Sequence, residues 1–436
     1  MSSGSRLSLL VISCAAWLAP PDARAGAPDP GQPGSSASSR PASRLVGCSV
    51  IEPVCVHEAI GAPRLPGAAA LTLAAGERAL AFLRRQGMPG PRPDGALGTG
   101  PELDLYLTSL NPLPQAHADP ADLVGVHESA SAYGVLDARR GGCALESDVA
   151  RVVAQTALLG LAPSAHASTL AVGSSQIASL AAPCPFVEST AVDAFQRHPE
   201  RALTHANLAA FAGEFLWADF LDTRYGKHDL GRLWPELVAL TGQRRSPTDL
   251  ASAIEPDMFD VLRRLLVGLG TSLDDAQLEF AIARAFVGTR SDGAHLVDVE
   301  RHGDLGRVRF DWTAAWSSLP RRLRTSVLEA TGASYLWLDT RGAGPKGRLE
   351  VAVECEVTHA FRWALVTIDA EGKELGRHVG GRFGEHEIRL SLASLENVDA
   401  VLLVGATGGH DDREHPFDPE EGPPAEAVCE VSLFPG

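Results

Sequence analysis

Residues 348–369 read RLEVAVECEVTHAFRWALVTID, and this stretch decides the fold of the C-terminal part of the chain. Hydrophobic and polar residues alternate in it with a period of two, which is typical of strands with one buried face. The same period runs from Gly332 onward, where Gly, Asp and Pro loops separate seven candidate strands. The strands are Tyr335–Asp339, Arg348–Val357, Phe361–Asp369, Glu374–Val379, His386–Leu392, Ala400–Gly405 and Ala427–Phe434. This pattern predicts an antiparallel β-sandwich over residues 331–436.

The chain before the sandwich has mainly helical periodicity. The predicted helices are Leu71–Gln86, Ser147–Leu161, Leu208–Tyr225, Pro256–Gly268 and Ser272–Phe286, the last capped by Ser272. Leu103–Leu107 and Ala132–Leu136 alternate like strands, and the segment with Cys48 and Cys55 suggests a small stapled loop. The predicted fold class is therefore α+β, with a mostly helical body over residues 45–330 followed by the sandwich.

The N-terminal region resembles an export signal. Arg6 precedes an apolar run from Leu7 to Ala19, and Ala23-Arg24-Ala25 fits a small-x-small cleavage pattern. This predicts a signal peptide over residues 1–25 and an exported protein, periplasmic or extracellular. The alternative is a lipoprotein anchored through Cys14, because Val11-Ile12-Ser13-Cys14 resembles a lipobox. Residues 26–44 are rich in Pro, Gly and Ser, which predicts a flexible linker.

The overall charge narrows the range of partners. The formal net charge is −16 and no basic tract is present, which argues against nucleic acid and anionic lipid as partners. No segment after the N-terminal run has the ~20 consecutive apolar residues that a membrane-spanning helix needs. We therefore expect no transmembrane segment in the exported chain.

Cysteine usage agrees with export. Of seven cysteines, Cys14 lies in the predicted signal, and the others fall two by two into separate segments. This distribution predicts the disulfides Cys48–Cys55, Cys143–Cys184 and Cys355–Cys429. Buried thiols are the alternative, whereas a zinc cluster is disfavoured because the chain has no CxxC motif.

Three groups of residues resemble a family of large secreted bacterial metallopeptidases with a gluzincin-like body and a C-terminal β-sandwich. The first is Pro93-Asp94-Gly95 with the two predicted strands that follow it. The second runs from Phe211-Ala-Gly-Glu-Phe-Leu-Trp217 to Phe220-Leu-Asp-Thr-Arg-Tyr-Gly226 and Leu233-Trp234, and the third is the sandwich with Val398–Val404. The resemblance covers most of residues 70–434 and implies a metallopeptidase-like body.

In that family the helix after the second strand carries HExxH, whose histidines bind zinc while its glutamate activates the metal-bound water. The corresponding positions here are Gln155, Thr156 and Leu159. A neutral amide is a poor zinc ligand, Leu has no lone pair, and Thr cannot act as a base near neutral pH. The chain is therefore predicted to be a degenerate member without a catalytic residue, a metal or another cofactor.

Two dipeptides contain part of the motif, His57-Glu58 and His127-Glu128, but neither has a second histidine four residues on. Both are interpreted as surface pairs. Glu214 is a possible third metal ligand, although a buried, hydrogen-bonded carboxylate explains it better. Asp219 and Asp222 are interpreted as the solvated edge of the same helix.

Other catalytic motifs are missing from the sequence. It contains no G-x-S-x-G, no P-loop and no suitably placed G-x-G-x-x-G, and Gly173-Ser174-Ser175 resembles a turn. A Ser-His-Asp triad assembled from distant positions stays open, because triads are defined by geometry. The acidic loop His410–Glu421 is either a calcium site or an ordinary solvated loop.

The sequence thus leads to three functional hypotheses. The first is an exported pseudopeptidase that acts as a binding or scaffold module for an unknown protein or glycan. The second is a secreted hydrolase with a non-standard metal site. The third is a structural cell-envelope protein, tethered if Cys14 is acylated.

Overall fold

The computed structural model describes residues 40–62, 65–95, 97–109, 114–124, 127–203, 213–226, 231–243, 256–344, 346–356, 360–381, 385–409 and 426–436. The predicted signal peptide, Cys14, most of the predicted linker and the acidic loop His410–Glu421 lie outside these residues. The class is α+β, as predicted.

The N-terminal part consists of a mixed sheet and helices. Its strands are β1 (Ser43–Cys48), β2 (Val54–Ala59), β3 (Leu103–Thr108), β4 (Gln115–Ala118), β5 (Asp122–Val124), β6 (His127–Ser129) and β7 (Ala132–Asp137). Its helices are α1 (Ala68–Arg85), α2 (Gly142–Leu159), α3 (Ala167–Ala181), α4 (Pro185–Gln196), α5 (Phe215–Tyr225), α6 (Leu233–Thr241), α7 (Met258–Gly268) and α8 (Leu273–Ala285).

Five of these strands form one sheet in the order β1-β2-β3-β7-β4. The three central strands are parallel, whereas β1 and β4 run antiparallel at the two edges. Helices α1 and α2 cover one face, where Leu105 and Val152 belong to a continuous apolar core. Gly134 on β7 lies so close to Val152 that a side chain there would overlap it. Side chains on the other face are mostly polar or aromatic, and this polar face holds the candidate site.

Two local predictions for this part were wrong. The Cys48–Cys55 segment is not a loop, because these residues are opposite partners in the β1–β2 hairpin. This hairpin begins at Ser43, inside the segment whose composition predicts a linker. Gly173-Ser174-Ser175 is not a turn but part of α3. Gly173 is needed there because the Trp234 ring packs directly against the helix backbone.

The C-terminal part contains eleven strands in the described residues. They are β8 (Trp312–Ala315), β9 (Arg321–Arg324), β10 (Leu328–Glu329), β11 (Ala333–Asp339), β12 (Leu349–Cys355), β13 (Ala360–Ile368), β14 (Glu374–Gly380), β15 (Glu387–Leu392), β16 (Ala400–Gly409), β17 (Glu426–Ala427) and β18 (Cys429–Pro435). Two main sheets, β14-β13-β16-β11-β8 and β15-β12-β18-β9, pack as a sandwich. The pairing is antiparallel as predicted except between β8 and β11, which are parallel.

The sandwich also packs against the helical part. The outer face of the sheet containing β13 and β16 contributes apolar residues such as Val366 and Leu402, which meet Ala281 and Ile282 of α8. The Tyr335 hydroxyl donates a hydrogen bond to the Ala281 carbonyl at 2.7 Å. Helix α8 begins where predicted, and the Ser272 side chain accepts a hydrogen bond from the Asp275 amide.

Candidate functional site

The three positions that correspond to HExxH lie on α2, directly after β7. The Gln155 side-chain carbonyl accepts a hydrogen bond from the Ala116 amide of edge strand β4 at 3.0 Å. The Thr156 side chain is fully buried, and its hydroxyl donates to the Val153 carbonyl at 2.8 Å. Leu159 belongs to the apolar core. All three side chains therefore serve packing or backbone hydrogen bonding.

The fragments His57-Glu58 and His127-Glu128 are not simple surface pairs. His57 is buried on the polar face of the first sheet, with Nε2 2.8 Å from Asp104 Oδ1. Glu128 is also buried and accepts a hydrogen bond from the Ser164 hydroxyl at 2.6 Å. The prediction of surface pairs is therefore wrong for His57 and Glu128, which distant parts of the chain cover, whereas His127 is exposed.

Of the carboxylates at and after the start of α5, Asp222 is more buried than predicted. Glu214 is buried as expected, but its Oε2 has no hydrogen-bond partner among the described residues. Burial raises the pKa of Glu214 well above its usual range. Asp222 is not on a solvated edge, since it is buried and accepts a hydrogen bond from the Leu233 amide at 3.1 Å.

Asp219 and Asp222 share one amide donor. Gln176 Nε2 lies 3.0 Å from Asp219 Oδ1 and 2.8 Å from Asp222 Oδ2. Burial, together with the charge of Asp222, raises the pKa of Asp219 to about 7 against the opposing effect of the hydrogen bond from Gln176. This group can therefore bind a proton near neutral pH.

One serine–histidine pair was not predicted from the sequence. Ser189 Oγ lies 3.1 Å from His302 Nδ1, and both side chains are buried. His302 Nε2 has no hydrogen-bond partner among the described residues, so no acid orients the ring. Burial lowers the pKa of His302 to about 4. The pair lacks the acid and the access that a nucleophilic triad requires.

The polar face of the first sheet brings together residues from four distant parts of the chain. Arg40, just before β1, forms ion pairs with Asp94, Asp104 and Asp119. Its Nη2 donates to Asp119 Oδ2 at 2.9 Å, while Nη1 donates to Asp104. The Asp94 side chain is only 3% exposed, and Oδ1 has no hydrogen-bond partner in the described part of the chain. We call these four residues the Arg40 cluster.

Aromatic rings surround the Arg40 cluster. The guanidinium carbon of Arg40 lies 5.0 Å from the centre of the Tyr133 ring, within the range of a cation–π contact. Tyr106 meets Tyr133 edge-on at 5.5 Å and stacks on His57 at 4.7 Å. His117 also stacks on Tyr133, with the ring centres 5.4 Å apart. The guanidinium therefore lies between carboxylates and flat aromatic surfaces.

The electrostatics of the Arg40 cluster reflect burial and excess negative charge. Burial alone would lower the pKa of Arg40, but a hydrogen bond to Tyr106 and the charges of Asp119 and Asp94 raise it. Burial raises the pKa of Asp94 despite the opposing charge of Arg40. Burial likewise raises the pKa of Tyr106 and lowers that of His117. The cluster can hold one cation firmly without full neutralisation of its carboxylates.

A glycine contacts the Arg40 cluster directly. A Cβ built on Gly98 would overlap the Asp104 carboxylate and lie 2.8 Å from Arg40 Nη1. Only a residue without a side chain allows the backbone to approach this ion pair so closely. Asp94 and Gly98, which both lie between α1 and β3, each contact the Arg40 cluster.

Local sequence patterns indicate the Arg40 cluster only weakly. Asp104 and Tyr106 alternate with Leu103, Leu105 and Leu107, so β3 has one polar face, but such a face is usually solvated. Arg40 lies in a segment whose composition predicts a linker. Its partners Asp104 and Asp119 are 64 and 79 positions away, beyond the reach of local patterns.

The sandwich carries a shallow cleft of about 520 Å³ beside the Cys355–Cys429 disulfide. It is lined mostly by charged residues, namely Arg324, Glu354, Cys355, Glu356, His386, Glu387, Val428 and Glu430. Within the described ranges, no three His, Cys, Asp or Glu side chains are arranged to hold a metal ion.

The structure contains three disulfides, Cys48–Cys55, Cys143–Cys184 and Cys355–Cys429, which are the pairs that the cysteine distribution predicts. Because disulfides persist in oxidising compartments, they indicate a non-cytoplasmic protein. No helix in the described part of the chain is both long enough and apolar enough to cross a membrane.

Comparisons with known proteins find only distant neighbours. No family model matches the sequence, and no curated protein matches it. A pre-peptidase C-terminal domain of collagenase from Bacillus anthracis aligns with 29% of this chain and 96% of its own, with 10% identity and a TM-score of 0.20. CorA, a surface-associated copper-binding protein of Methylomicrobium album BG8, aligns with 28% of this chain and 97% of its own, with 8% identity and a TM-score of 0.20. Likenesses at this level carry no argument about function.

Proposed function

We propose that the protein is an exported, non-catalytic relative of the secreted metallopeptidases and acts as a binding or scaffold module outside the cytoplasm. The observation that carries this proposal is how α2 uses the side chains at its three HExxH positions. The helix follows β7 directly, where the resemblance expects the zinc helix. Yet Gln155, Thr156 and Leu159 are used for hydrogen bonding and core packing.

Each of the three positions argues against catalysis for a separate physical reason. Gln155 uses its carbonyl oxygen to bind the β4 backbone. Thr156 is completely buried, so a water molecule activated there would have no route to a substrate. Leu159 offers no lone pair to a metal. The helix therefore supports the sheet rather than a reaction.

The disulfides support the exported location, because they stabilise proteins that fold in oxidising compartments. Periplasm and extracellular medium are both compatible with them, and so is a lipoprotein anchored through Cys14. We propose an unidentified protein or glycan as the partner. A module without chemistry of its own acts by presenting surfaces, and the sandwich cleft is one such surface.

Elemental mass spectrometry of the purified chain, dialysed without chelator, tests the proposal. We expect substoichiometric zinc, and no cleavage of casein with or without added zinc. A zinc peptidase purified in parallel is the positive control. Zinc close to one ion per chain, or casein cleavage abolished by a chelator, would refute the non-catalytic function.

A second experiment tests the packed state of α2 directly. Thr156→Glu would bury a carboxylate in the core, and we expect a loss of several kcal/mol in the free energy of unfolding, or no folded protein. The matched control Thr156→Val keeps the side-chain shape and should cost about 1 kcal/mol by removing one hydrogen bond. A Thr156→Glu protein as stable as the control would mean that α2 faces an open cleft.

A further inference from the structure

The polar face of the first sheet has the chemistry of a binding site for one planar cation. Three carboxylates, from Asp94, Asp104 and Asp119, surround a single guanidinium. The flat face of Tyr133 lies 5.0 Å from that guanidinium. Acceptors around the edge and a ring over the face match an arginine side chain, whereas a compact ammonium would use fewer of them.

The present occupant does not satisfy the site completely. Arg40 Nε is buried without a hydrogen-bond partner in the described residues. The same holds for Asp94 Oδ1, and the Asp94 side chain is only 3% exposed. One donor of the guanidinium and one acceptor of the cluster are thus left without a partner in the described residues. A guanidinium entering at another angle could use both.

The position of Arg40 allows it to leave the site. It precedes β1 and belongs to no helix or strand. In the described residues, the first backbone hydrogen bond along the chain is the one from the Ile60 amide to the Ala42 carbonyl. Strand β1 is an edge strand that pairs with β2. Withdrawal of Arg40 therefore breaks side-chain contacts but leaves the ladder of the sheet intact.

We infer that this face is an arginine-binding site, filled in cis by Arg40, which accepts an arginine side chain of a partner protein when Arg40 withdraws. The inference rests on the proposed binding function and specifies the chemistry of its ligand. Arg40 then acts as a built-in competitor, so that the partner must offer a better-placed guanidinium. Gly98 is part of the site, because its backbone forms the wall against Asp104.

The test is to vacate the site and refill it. Arg40→Gly should bind guanidinium and N-acetyl-arginine amide saturably, with a rise in melting temperature, and should bind N-acetyl-lysine amide at least ~10-fold more weakly, because an ammonium lacks the bidentate fork. The unmodified protein should show no saturable binding, because Arg40 fills the site. Arg40→Gly combined with Asp104→Asn should lose the binding.

Arg44→Gly is the matched control. It removes a neighbouring arginine whose side chain is 58% exposed and pairs with Glu58 on the surface, so it should create no site. Absence of binding by Arg40→Gly, or equal binding by the two glycine variants, would overturn the inference. Equal binding of the arginine and lysine amides would also overturn it.

If Arg40→Gly is recovered unfolded, the same ligands can be present while the variant is dialysed from urea. A folded yield that rises with the arginine amide and not with the lysine amide supports the site, and equal yields refute it. The zinc and casein measurements are independent of these outcomes. If the protein holds no zinc and Arg40→Gly does not bind the arginine amide, the site is refuted and the proposed function stands. If the protein is a zinc peptidase and Arg40→Gly binds the arginine amide, the site stands and the proposed function is refuted.

Discussion

The first sheet and the sandwich sheet that contains β13 and β16 differ in how they bury their second faces. Both cover one face with apolar side chains. The sandwich sheet also buries its outer face with apolar residues, against α8. The first sheet instead closes its second face with Arg40, carboxylates and aromatic rings. An apolar face stabilises the fold without directional requirements, whereas a polar face depends on each partner being present and well placed.

The largest effect is expected in the apolar interior of the sandwich. Trp363 on β13 is 1% exposed, and its ring lies directly on Gly405 of β16. Trp363→Ala should lower the free energy of unfolding by about 3–5 kcal/mol, because it leaves a large cavity. Urea denaturation followed by circular dichroism measures this loss.

Val379→Ala on β14 is the control for that substitution, since Val379 is 45% exposed. It should change stability by less than about 0.5 kcal/mol. If Trp363→Ala costs no more than Val379→Ala, the two sheets do not share a tightly packed interior.

The next effect tests the polar face. Asp104 accepts from both Arg40 and His57 and is almost fully buried. Asp104→Asn should lower the free energy of unfolding by about 3 kcal/mol, because it leaves a buried guanidinium with less compensating charge. The loss should change little with salt, because buried pairs are poorly screened.

Glu58→Gln is the comparison for Asp104→Asn, because Glu58 forms a surface pair with Arg44 in the same sheet. Its loss should be below about 1 kcal/mol and should shrink as salt is added. Equal losses for the two variants would mean that the polar face behaves as a solvated surface.

The same contrast explains how far the sequence predicts the fold. The seven sandwich strands were predictable because a period of two records which face is buried. Short strands such as Trp312–Ala315 and Arg321–Arg324 were missed, since so few residues show no period. Helix α3 was also missed because its Ser and Gly residues resemble a turn, and only contact with Trp234 explains Gly173.

The candidate site was harder to predict than the fold. An apolar pattern is local, but the Arg40 cluster joins residues from a low-complexity segment, a loop and two strand regions. In the sequence, Asp94 and Asp104 are distinguished only by lying within segments that resemble a family. Their pairing with Arg40 depends on the closed sheet, so no local period in the sequence contains it.

A smaller, pH-dependent effect is expected in the helical part. The pKa of Asp219 is raised to about 7, so the folded state binds the proton more tightly than the unfolded state does. Stability from this group is therefore present at low pH and is lost as the pH rises from about 4 to about 7. Asp219→Asn should remove this loss, and should stabilise the protein at pH 8 but not at pH 4.

Melting temperatures across this pH range measure the effect. Asp304→Asn is the control, since its side chain is 79% exposed and should leave the pH profile unchanged. The groups that face Asp219 are Gln176, Asp222, Glu188 and Arg301. A profile for Asp219→Asn that parallels the unmodified protein would mean that Asp219 is not the group that binds the proton.

The smallest effect concerns the junction where the sandwich sheet buries its outer face. Tyr335 is fully buried among apolar residues, and its hydroxyl donates to the Ala281 carbonyl of α8. Tyr335→Phe keeps the ring and removes this bond, so it should cost about 1 kcal/mol. Tyr225→Phe on α5, where the side chain is only partly buried, is the control and should cost less. If the sandwich and the helical part unfold together, Tyr335→Phe should shift one shared transition. A shift confined to one of two separate transitions would show that the apolar outer face does not couple the two parts.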